Sequence, residues 1–122
     1  MRGKVVHFEV PSDDTGRAKG FWGGLFGWDF QPMEGPFEYH MAQIDEEMGA
    51  GVHPVEEGGS KGLRFYFDVD DLGASSEQVR GLGGEAGEAM PVPGMGWFSL
   101  CTDTEGNEFG LWQGDRSAPA PG

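Results

Sequence analysis

The chain is poor in two kinds of residue, cysteine and the basic amino acids. Cys101 is the only cysteine among 122 residues, which excludes a disulfide framework and a cysteine-based zinc site. Eight Lys and Arg stand against 21 Asp and Glu, giving a formal net charge of −13. Nucleic-acid binding needs clustered cations that neutralise phosphates, and anionic lipid surfaces attract basic segments. We therefore expect no nucleic-acid partner and no membrane partner.

Long apolar runs are missing as well. No stretch of the sequence approaches the roughly 20 apolar residues that a membrane span requires. The basic residues Arg2 and Lys4 are not followed by the apolar segment of a signal peptide. These two absences predict a soluble, cytoplasmic protein. Aromatic residues, by contrast, make up 12% of the chain, and they fall in periodic runs, which argues for a folded domain despite the 23 glycines.

The first half of the chain shows one strand, one helix and three further strands. Residues 5–10 are β-branched and aromatic, which predicts a strand, and Asp13 and Asp14 are suited to cap a helix. Gly27 follows the last residue of the helical pattern and is a typical stop. The apolar stripe of this helix comprises Ala18, Phe21, Trp22, Leu25 and Phe26. The later strands are predicted over residues 28–33, 37–44 and 50–55, before a glycine-rich linker at 56–62.

The same order of signals returns in the second half. A strand over residues 63–69 leads to Asp70 and Asp71, which can cap a helix that ends before Gly83. The apolar residues of this helix are Leu72, Val79 and Leu82. Strands are predicted over residues 85–92, 97–102 and 108–113, with turn chemistry at 103–107. The tail from Gly114 to Gly122 is rich in Pro, Ala and Gly and is expected to fray.

The second half of the chain thus repeats the first, and we interpret this as an internal repeat within one domain of residues 1–122. The segment His7–Asp14 aligns without gaps with Arg64–Asp71, and Gly24-Leu25 aligns with Gly81-Leu82. Each half therefore reads βαβββ, with the first module at about residues 4–56 and the second at about 62–113. The fold class predicted from this pattern is α+β, with two helices and eight strands.

Two motifs resemble the vicinal oxygen chelate superfamily over about residues 5–113. The opening motif comprises Asp14, then Phe21-Trp22, then Leu25-Phe26-Gly27-Trp28. The closing motif comprises residues 103–107 and then Phe109-Gly110-Leu111-Trp112. That superfamily includes glyoxalase I, extradiol dioxygenases, fosfomycin-resistance enzymes and bleomycin-binding proteins. The resemblance implies that the two modules form a U-shaped eight-stranded sheet around a cavity, with the helices outside.

The resemblance also implies where a divalent metal would be held. Family enzymes take up to four ligands from the first and last strand of each module, and these places fall on His7, Gly51, Arg64 and Gly110. Only His7 can donate to a metal, because glycine has no side chain and arginine stays cationic with no lone pair. We therefore expect no metal cofactor, and we expect the two glycines to leave room for a bulky ligand. The alternative is a divalent metal in a rebuilt site of His7, His40 and His53, which requires all three to face one cavity.

Strand alternation extends the candidate site. If His7 faces the cavity, Glu9 faces it too, while Phe8 and Val10 pack under the first helix. In the same way, if Arg64 faces the cavity, Tyr66 and Asp68 face it too. The Arg64 side chain then either forms an ion pair with Glu9 or Asp68, or binds an anionic group of the ligand. By the repeat His53 shares a face with Gly51, and Trp97 is expected on a mobile loop at the cavity mouth. The predicted ligand-binding residues are His7, Glu9, His53, Arg64, Tyr66, Trp97, Glu108, Gly110 and Trp112.

Three functions are compatible with this lining. The favoured one is a metal-independent protein that sequesters or carries an aromatic or cationic, antibiotic-like small molecule. It would resemble the bleomycin-binding branch, act in antibiotic resistance and form a homodimer. The alternative is a lyase, isomerase or dioxygenase-like enzyme, metal-dependent or using His7 with Glu9 or Tyr66 for acid–base chemistry. The third is an interaction protein with a vestigial cavity. Cys101 is expected to be a buried, inert thiol in all three.

Overall fold

A computed structural model describes residues 2–56, 59 and 61–119 of the chain. Within these residues it contains two helices and nine strands. The chain divides into two compact units. The first unit is His7–Arg64, and the second comprises the described residues of 1–6 and 65–122. The first unit carries the βαβββ order, and the second carries the same order with its second strand split in two, which confirms the α+β class and the two repeated modules.

The first unit is built on a four-stranded sheet. Its elements are β1 (Val5–Ser12, of which residues 7–12 belong to this unit), α1 (Thr15–Phe26), β2 (Gln31–Pro32), β3 (His40–Gln43) and β4 (Gly49–Pro54). β1 runs parallel to β4, β3 runs antiparallel to β4, and β2 runs antiparallel to β3. The predicted strands at 28–33 and 37–44 are longer than those observed. Trp28 and Phe30 pack against the core before β2 begins, and Phe37 is 81% exposed in a bend before β3.

Helix α1 begins and ends where the sequence predicted. The Asp14 carboxylate accepts a hydrogen bond from the Arg17 backbone N–H at 2.9 Å. Gly27 adopts the left-handed conformation with φ 74°, and its N–H donates to the Gly23 carbonyl at 2.7 Å. Ala18 and Trp22 of the predicted stripe pack against a core formed by Phe8, Val10, Ala50 and Val52.

Aromatic rings join this core to the helix. Phe8 contacts both Trp22 and Trp28 at ring-centroid distances of 6.5 and 5.8 Å. The indoles of Trp22 and Trp28 are stacked nearly parallel, 6.1 Å apart with 5° between their planes. No residue of α1 is fully buried, and Phe21 and Leu25 are 62% and 59% exposed. The helix therefore contacts its core along one side only.

The second unit repeats this plan with one interruption. Its elements are β5 (Arg64–Asp68, from Phe65 onward), α2 (Leu72–Gly81), β6 (Glu85–Ala86), β7 (Met90–Val92), β8 (Gly96–Thr102) and β9 (Glu108–Gly114). β5 runs parallel to β9, and β8 runs antiparallel to β9. The predicted strand at 85–92 is split into β6 and β7, which both pair antiparallel with β8. This split gives nine strands where eight were predicted.

The second helix is one residue shorter than predicted. Asp71 caps α2 by accepting from the Ala74 N–H, and Leu82 lies beyond the last helical residue with its side chain 72% exposed. Leu82 therefore does not belong to the packed stripe. The core under α2 comprises Val69, Leu72, Cys101 and Leu111, with Phe67, Val79, Trp97 and Phe109 packed against it. Burial raises the pKa of the Cys101 thiol, in keeping with an unreactive core residue.

The turn at 103–107 has the predicted chemistry. The Asp103 carboxylate accepts from the backbone N–H groups of Glu105 and Asn107 and from the Asn107 side chain. These bonds hold the pKa of Asp103 below its ordinary value.

The beginning of the tail is ordered, which corrects the expectation of fraying from Gly114. Gly114 closes β9, and the Asp115 N–H donates to the Met95 carbonyl at 2.8 Å. Ala118 is 6% exposed, and its carbonyl accepts from the Gly94 N–H. Residues 120–122 of the predicted tail, and residues 57, 58 and 60 of the predicted linker, lie outside the described residues. Neither helix in the described part is long and apolar enough to cross a membrane.

Candidate functional site

The first unit gathers five side chains on the sheet face opposite α1. Alternation along β1 places Phe8 and Val10 in the core under the helix, so His7 and Glu9 point to the other face. In β4 the core residues Ala50 and Val52 alternate with Gly51 and His53 in the same way. We call the group on this face the polar cluster, and it comprises His7, Glu9, Tyr39, His53 and Arg64.

Glu9 is the anionic centre of the polar cluster. Its Oε1 lies 3.5 Å from Arg64 Nε and 3.8 Å from His53 Nε2. The three side chains are only 12%, 13% and 10% exposed. A guanidinium this buried needs a counter-charge to offset its lost hydration. Of the alternatives predicted for Arg64, the structure thus shows the ion pair with Glu9.

His7 and Tyr39 form a close polar pair. The His7 Nε2 atom lies 2.6 Å from the Tyr39 hydroxyl oxygen. Burial lowers the pKa of His7, and the nearby Glu9 carboxylate opposes this only in part. His7 is therefore neutral at pH 7, with one ring nitrogen able to donate and the other able to accept a hydrogen bond.

The Tyr39 ring lies between two imidazoles. It stacks on His53 at a ring-centroid distance of 5.9 Å with 9° between the planes, whereas the His7 ring, 6.3 Å away, meets the phenol end-on through the hydrogen bond. His53 Nδ1 lies 2.8 Å from the Pro54 carbonyl oxygen, so Nδ1 carries the proton and donates. The Nε2 atom of His53 then faces Glu9. The three rings form one contiguous group on this face of the sheet.

Tyr39 also fills the space at Gly51. A Cβ atom added to Gly51 would overlap the Tyr39 hydroxyl and the adjoining ring carbon. Tyr39 was not among the predicted site residues, because the internal repeat did not fix which face the predicted strand over residues 37–44 presents, and in the structure Tyr39 lies just before β3. The one available signal was Gly51 itself, since a glycine beside a site can mark a close approach by another group.

The second unit shows the same arrangement at Gly110. A Cβ atom there would overlap the ring of Tyr66. The expectation that the two glycines leave room for a bulky ligand is therefore wrong, because each glycine is covered by a tyrosine of its own unit. Glu108 and Trp112 share the face of Gly110, as alternation along β9 predicts. Phe98 contacts Tyr66 edge-on at 6.2 Å on this face and was missed by the sequence analysis.

Trp97 is not a residue of this face. Its side chain packs against the core under α2, and its Nε1–H donates to Asp115 Oδ2 at 3.2 Å. Trp97 lies within β8, opposite Gln113, and not on a mobile loop. The expectation of a loop came from the turn predicted at Met95-Gly96 beside Trp97, whereas β8 already begins at Gly96.

His40 lies apart from the other two histidines. It pairs in register with Val52, which is buried in the core under α1. Its Nε2 lies 2.7 Å from Glu38 Oε2, and its Nδ1 lies 3.3 Å from Lys19 Nζ of α1. His7 and His53 occupy the opposite face of the sheet, so the rebuilt site of His7, His40 and His53 is not formed. Among the residues that the structure describes, no three His, Cys, Asp or Glu side chains form a group suited to a metal ion.

The residues at the family's four metal places do not fit a divalent ion. Gly51 and Gly110 supply no donor, and tyrosine rings occupy the space where donor side chains would stand. Arg64 is cationic and pairs with Glu9. His7 alone carries a suitable nitrogen, and its Nε2 is engaged by Tyr39. A single imidazole does not make a tight metal site.

Relatives of the chain share its sequence over most of its length. The sequence matches the glyoxalase-like domain family over residues 6–112. It is 34% identical over 120 residues to a glyoxylase-like domain-containing protein of Didymella fabae, covering 91% of this chain and 94% of that one. It is 33% identical over 116 residues to the putative glyoxylase CFP32 of Mycobacterium bovis, covering 88% of this chain. The match spans 44% of CFP32, so this chain corresponds to less than half of that protein.

Solved structures share the fold at low sequence identity. A variant of Streptomyces coelicolor methylmalonyl-CoA epimerase, in complex with 2-nitronate-propionyl-CoA, superposes with a TM-score of 0.74. That alignment covers 99% of this chain and all of the epimerase, at 14% identity. The repeated βαβββ modules, the match over residues 6–112 and the two relatives above 30% identity agree. The chain belongs to the glyoxalase-like domain family of the vicinal oxygen chelate superfamily.

Proposed function

We propose that this glyoxalase-like domain is a metal-independent binding protein that carries or sequesters a small aromatic molecule. The observation that carries the proposal is the position of Tyr39 over Gly51, where family enzymes place a metal ligand. Tyr66 does the same at Gly110. A neutral phenol is a poor ligand for the divalent ions these enzymes use, since they prefer imidazole or carboxylate donors.

The ligand class follows from the polar cluster. The aromatic rings of Tyr39 and Tyr66 favour a planar guest, and the polar atoms of the cluster favour oxygen atoms on that guest. The net charge of −13 also favours a ligand with a cationic group elsewhere, because the field of an acidic protein concentrates cations. We therefore propose an aromatic compound that bears a carbonyl, phenol or carboxylate oxygen, of the kind found in many antibiotics.

Metal analysis tests the proposal directly. The untagged chain is purified without chelator, incubated with Ni, Zn, Mn or Fe salts, desalted and assayed by elemental analysis. We expect well under one ion per chain in every case. About one tightly held ion per chain would overturn the metal-independent function and direct the search to lyase, isomerase and dioxygenase substrates.

A second candidate is an acid–base enzyme centred on His7. Two observations favour it: the 2.6 Å contact between His7 and Tyr39, and the lowered pKa that keeps His7 neutral and able to take up a proton. The substitution His7→Ala separates the two candidates. It abolishes turnover of any substrate in the enzyme, whereas in a binding protein it changes ligand affinity only modestly.

A further inference from the structure

Helix α1 exposes most of its large apolar side chains. Phe21, Leu25 and Phe26 are 62%, 59% and 54% exposed. We propose that this side of α1 is the contact surface of a homodimer, in which α1 packs against α1 of a second copy of the chain. The inference is independent of the proposed binding function, because α1 covers the sheet face opposite to the polar cluster.

The outer surface of α1 has a ridge and a groove side by side. Residues spaced four apart form lengthwise rows on a helix. Trp22 packs on the core, and two residues turn a helix by about 200°, so the row of Gly20 and Gly24 lies on the opposite, outer side. The row of Phe21 and Leu25 runs beside it, one residue further along the chain. The glycines thus form a groove next to an apolar ridge.

Contacts inside the chain do not explain these two glycines. A Cβ atom at Gly20 or Gly24 meets no atom of the described residues within 4 Å, and alanine would favour the helix more than glycine does. The groove gains a use when the ridge of Phe21 and Leu25 from a second copy enters it. Because ridge and groove lie on one surface, each copy can insert its ridge into the groove of the other. A two-fold symmetric dimer requires such a self-complementary surface, which favours a second copy as the partner.

Charges on and after α1 indicate the direction of the second helix. α1 contains Arg17 and Lys19 and no acidic residue, whereas residues 20–60 contain no Lys or Arg. The Arg17 side chain is 75% exposed, and its 3.9 Å contact with Asp14 is a surface ion pair of little strength. A parallel pair of helices would bring both sets of cations together. An antiparallel pair places them at the C-terminal end of the other helix, where the macrodipole is negative and Asp29 follows.

The exposed apolar area is sufficient for a dimer. The loop between β2 and β3 adds Met33 and Phe37, which are 40% and 81% exposed. This loop is tied to α1, because the Thr15 hydroxyl donates to Glu38 Oε2 at 2.6 Å. On a scale of about 200 Å² for a large apolar side chain, these two residues and the three on α1 expose roughly 500–600 Å². A standard interface buries about 800 Å² per partner, a little over half of it apolar.

The test compares Leu25→Glu with Leu82→Glu. Leu82 is the matched control, because it aligns with Leu25 in the internal repeat, is 72% exposed and receives the same charge. Sedimentation velocity is measured on untagged proteins from low to high micromolar concentration. We expect the wild type and Leu82→Glu to form a dimer of two 13.2 kDa chains. In Leu25→Glu the dissociation constant should rise at least about tenfold, because the dimer would bury a carboxylate among apolar side chains.

A second variant separates loss of the dimer from loss of the fold. Gly20→Leu fills the groove but raises helix propensity, so it should become monomeric and keep the far-ultraviolet circular dichroism of the wild type. A monomeric wild type, or a dimer that survives Leu25→Glu or Gly20→Leu, would overturn the proposal. Equal loss of the dimer in Leu25→Glu and Leu82→Glu would overturn it too, as a general effect of charge. If the wild type were monomeric and bound vesicles of anionic lipid through Leu25, the surface would instead be a membrane contact.

Discussion

The two tyrosines that cover Gly51 and Gly110 lie at equivalent positions of the two repeated modules. Each ring occupies the place of a side chain at the last strand of its own module, β4 or β9. Tyr39 reaches Gly51 from the segment before β3, whereas Tyr66 reaches Gly110 from the neighbouring strand β5. The two units therefore fill equivalent positions with tyrosines from different elements. At each position a residue with a Cβ atom would clash with the ring, so glycine is needed.

Gly51→Ala should destabilise the first unit by about 1–3 kcal/mol, the range for overpacking a well-filled site. The added methyl group overlaps the Tyr39 hydroxyl and ring, and the stacked ring cannot turn aside freely. Urea unfolding of Gly51→Ala, Tyr39→Ala and the double variant checks this. We expect the double variant to be more stable than the sum of the single effects predicts, because the obstructing ring is gone. Strict additivity would show that the two residues are not coupled.

The lowered pKa of His7 gives a pH dependence of defined sign. In the folded chain burial lowers this pKa below the ordinary value of 6.5, so the unfolded chain binds the proton more readily. The free energy of unfolding therefore falls as the pH drops below about 6.5 and levels off below the folded pKa. Melting temperatures measured from pH 7.5 down to pH 5 should fall more steeply in the wild type than in His7→Gln. Parallel curves for the two proteins would contradict the assignment.

Some of the polar cluster could be predicted from the sequence and some could not. Strand alternation and the repeat placed His7, Glu9, His53 and Arg64 among the candidates, because regular strands fix which side chains share a face. Tyr39 was missed because the facing of the predicted strand over residues 37–44 was not fixed, and Tyr39 lies just outside the shorter strand that forms. Trp97 was assigned wrongly because alternation was not applied to the predicted strand over residues 97–102, where Trp97 shares a face with the core residue Cys101.

Helix α1 is an element whose composition works against its own stability. Four of its twelve residues are glycine, at positions 16, 20, 23 and 24, and glycine costs about 1 kcal/mol relative to alanine inside a helix. The helix forms because Asp14 and Gly27 cap it and because Ala18 and Trp22 pack on the core under it. Both caps and the apolar stripe were visible in the sequence, which is why its bounds were predicted well.

In the separated chain, Gly24→Ala should raise the free energy of unfolding by about 0.5–1 kcal/mol. A Cβ atom at Gly24 meets no atom within 4 Å, so the gain in helix propensity comes without a clash. Gly23→Ala is the matched control on the same helix, because its Cβ atom would lie 2.8 Å from the Trp28 carbonyl oxygen. Chemical unfolding of both variants should show one stabilised and one destabilised. A loss of stability in Gly24→Ala would mean that the free surface beside it is occupied in solution.

The edge strand predicted over residues 85–92 of the second unit forms as two shorter strands, which the sequence pattern did not predict. Residues 85–92 read as one strand, yet only β6 and β7 at its two ends form ladder pairs with β8. Gly87 still donates its N–H to the Leu100 carbonyl at 2.9 Å. The break begins at Gly87, since a glycine inside a strand weakens its pairing.

On the scale of the whole molecule, the internal repeat made the fold predictable. Both modules show the same order of strand, cap and helix, so an ambiguous element in one module can be checked against its counterpart in the other. The α+β class and the two modules were predicted in this way. The arrangement of side chains in the site was not predicted, because a glycine indicates that a neighbouring group needs space but does not show which side chain occupies that space.

The net charge of −13 predicts a stability that depends on salt. Eight Lys and Arg cannot neutralise 21 Asp and Glu, so the folded chain carries uncompensated repulsion. Raising NaCl from about 0.01 M to 0.1 M shortens the screening length from about 30 Å to about 10 Å. We expect the melting temperature at pH 7 to rise over this range. A fall would indicate that attractive ion pairs such as Glu9 with Arg64 outweigh the repulsion.

The stacked indoles of Trp22 and Trp28 have an optical consequence. Rings 6.1 Å apart and only 5° from parallel couple electronically when they absorb light. The pair's ultraviolet absorption and circular dichroism then differ from the sum of two isolated tryptophans. Both residues belong to the first unit, whereas Trp97 and Trp112 belong to the second. Loss of the coupled signal therefore reports the opening of the first unit alone, and the chain carries a built-in label for following the two modules separately as they unfold.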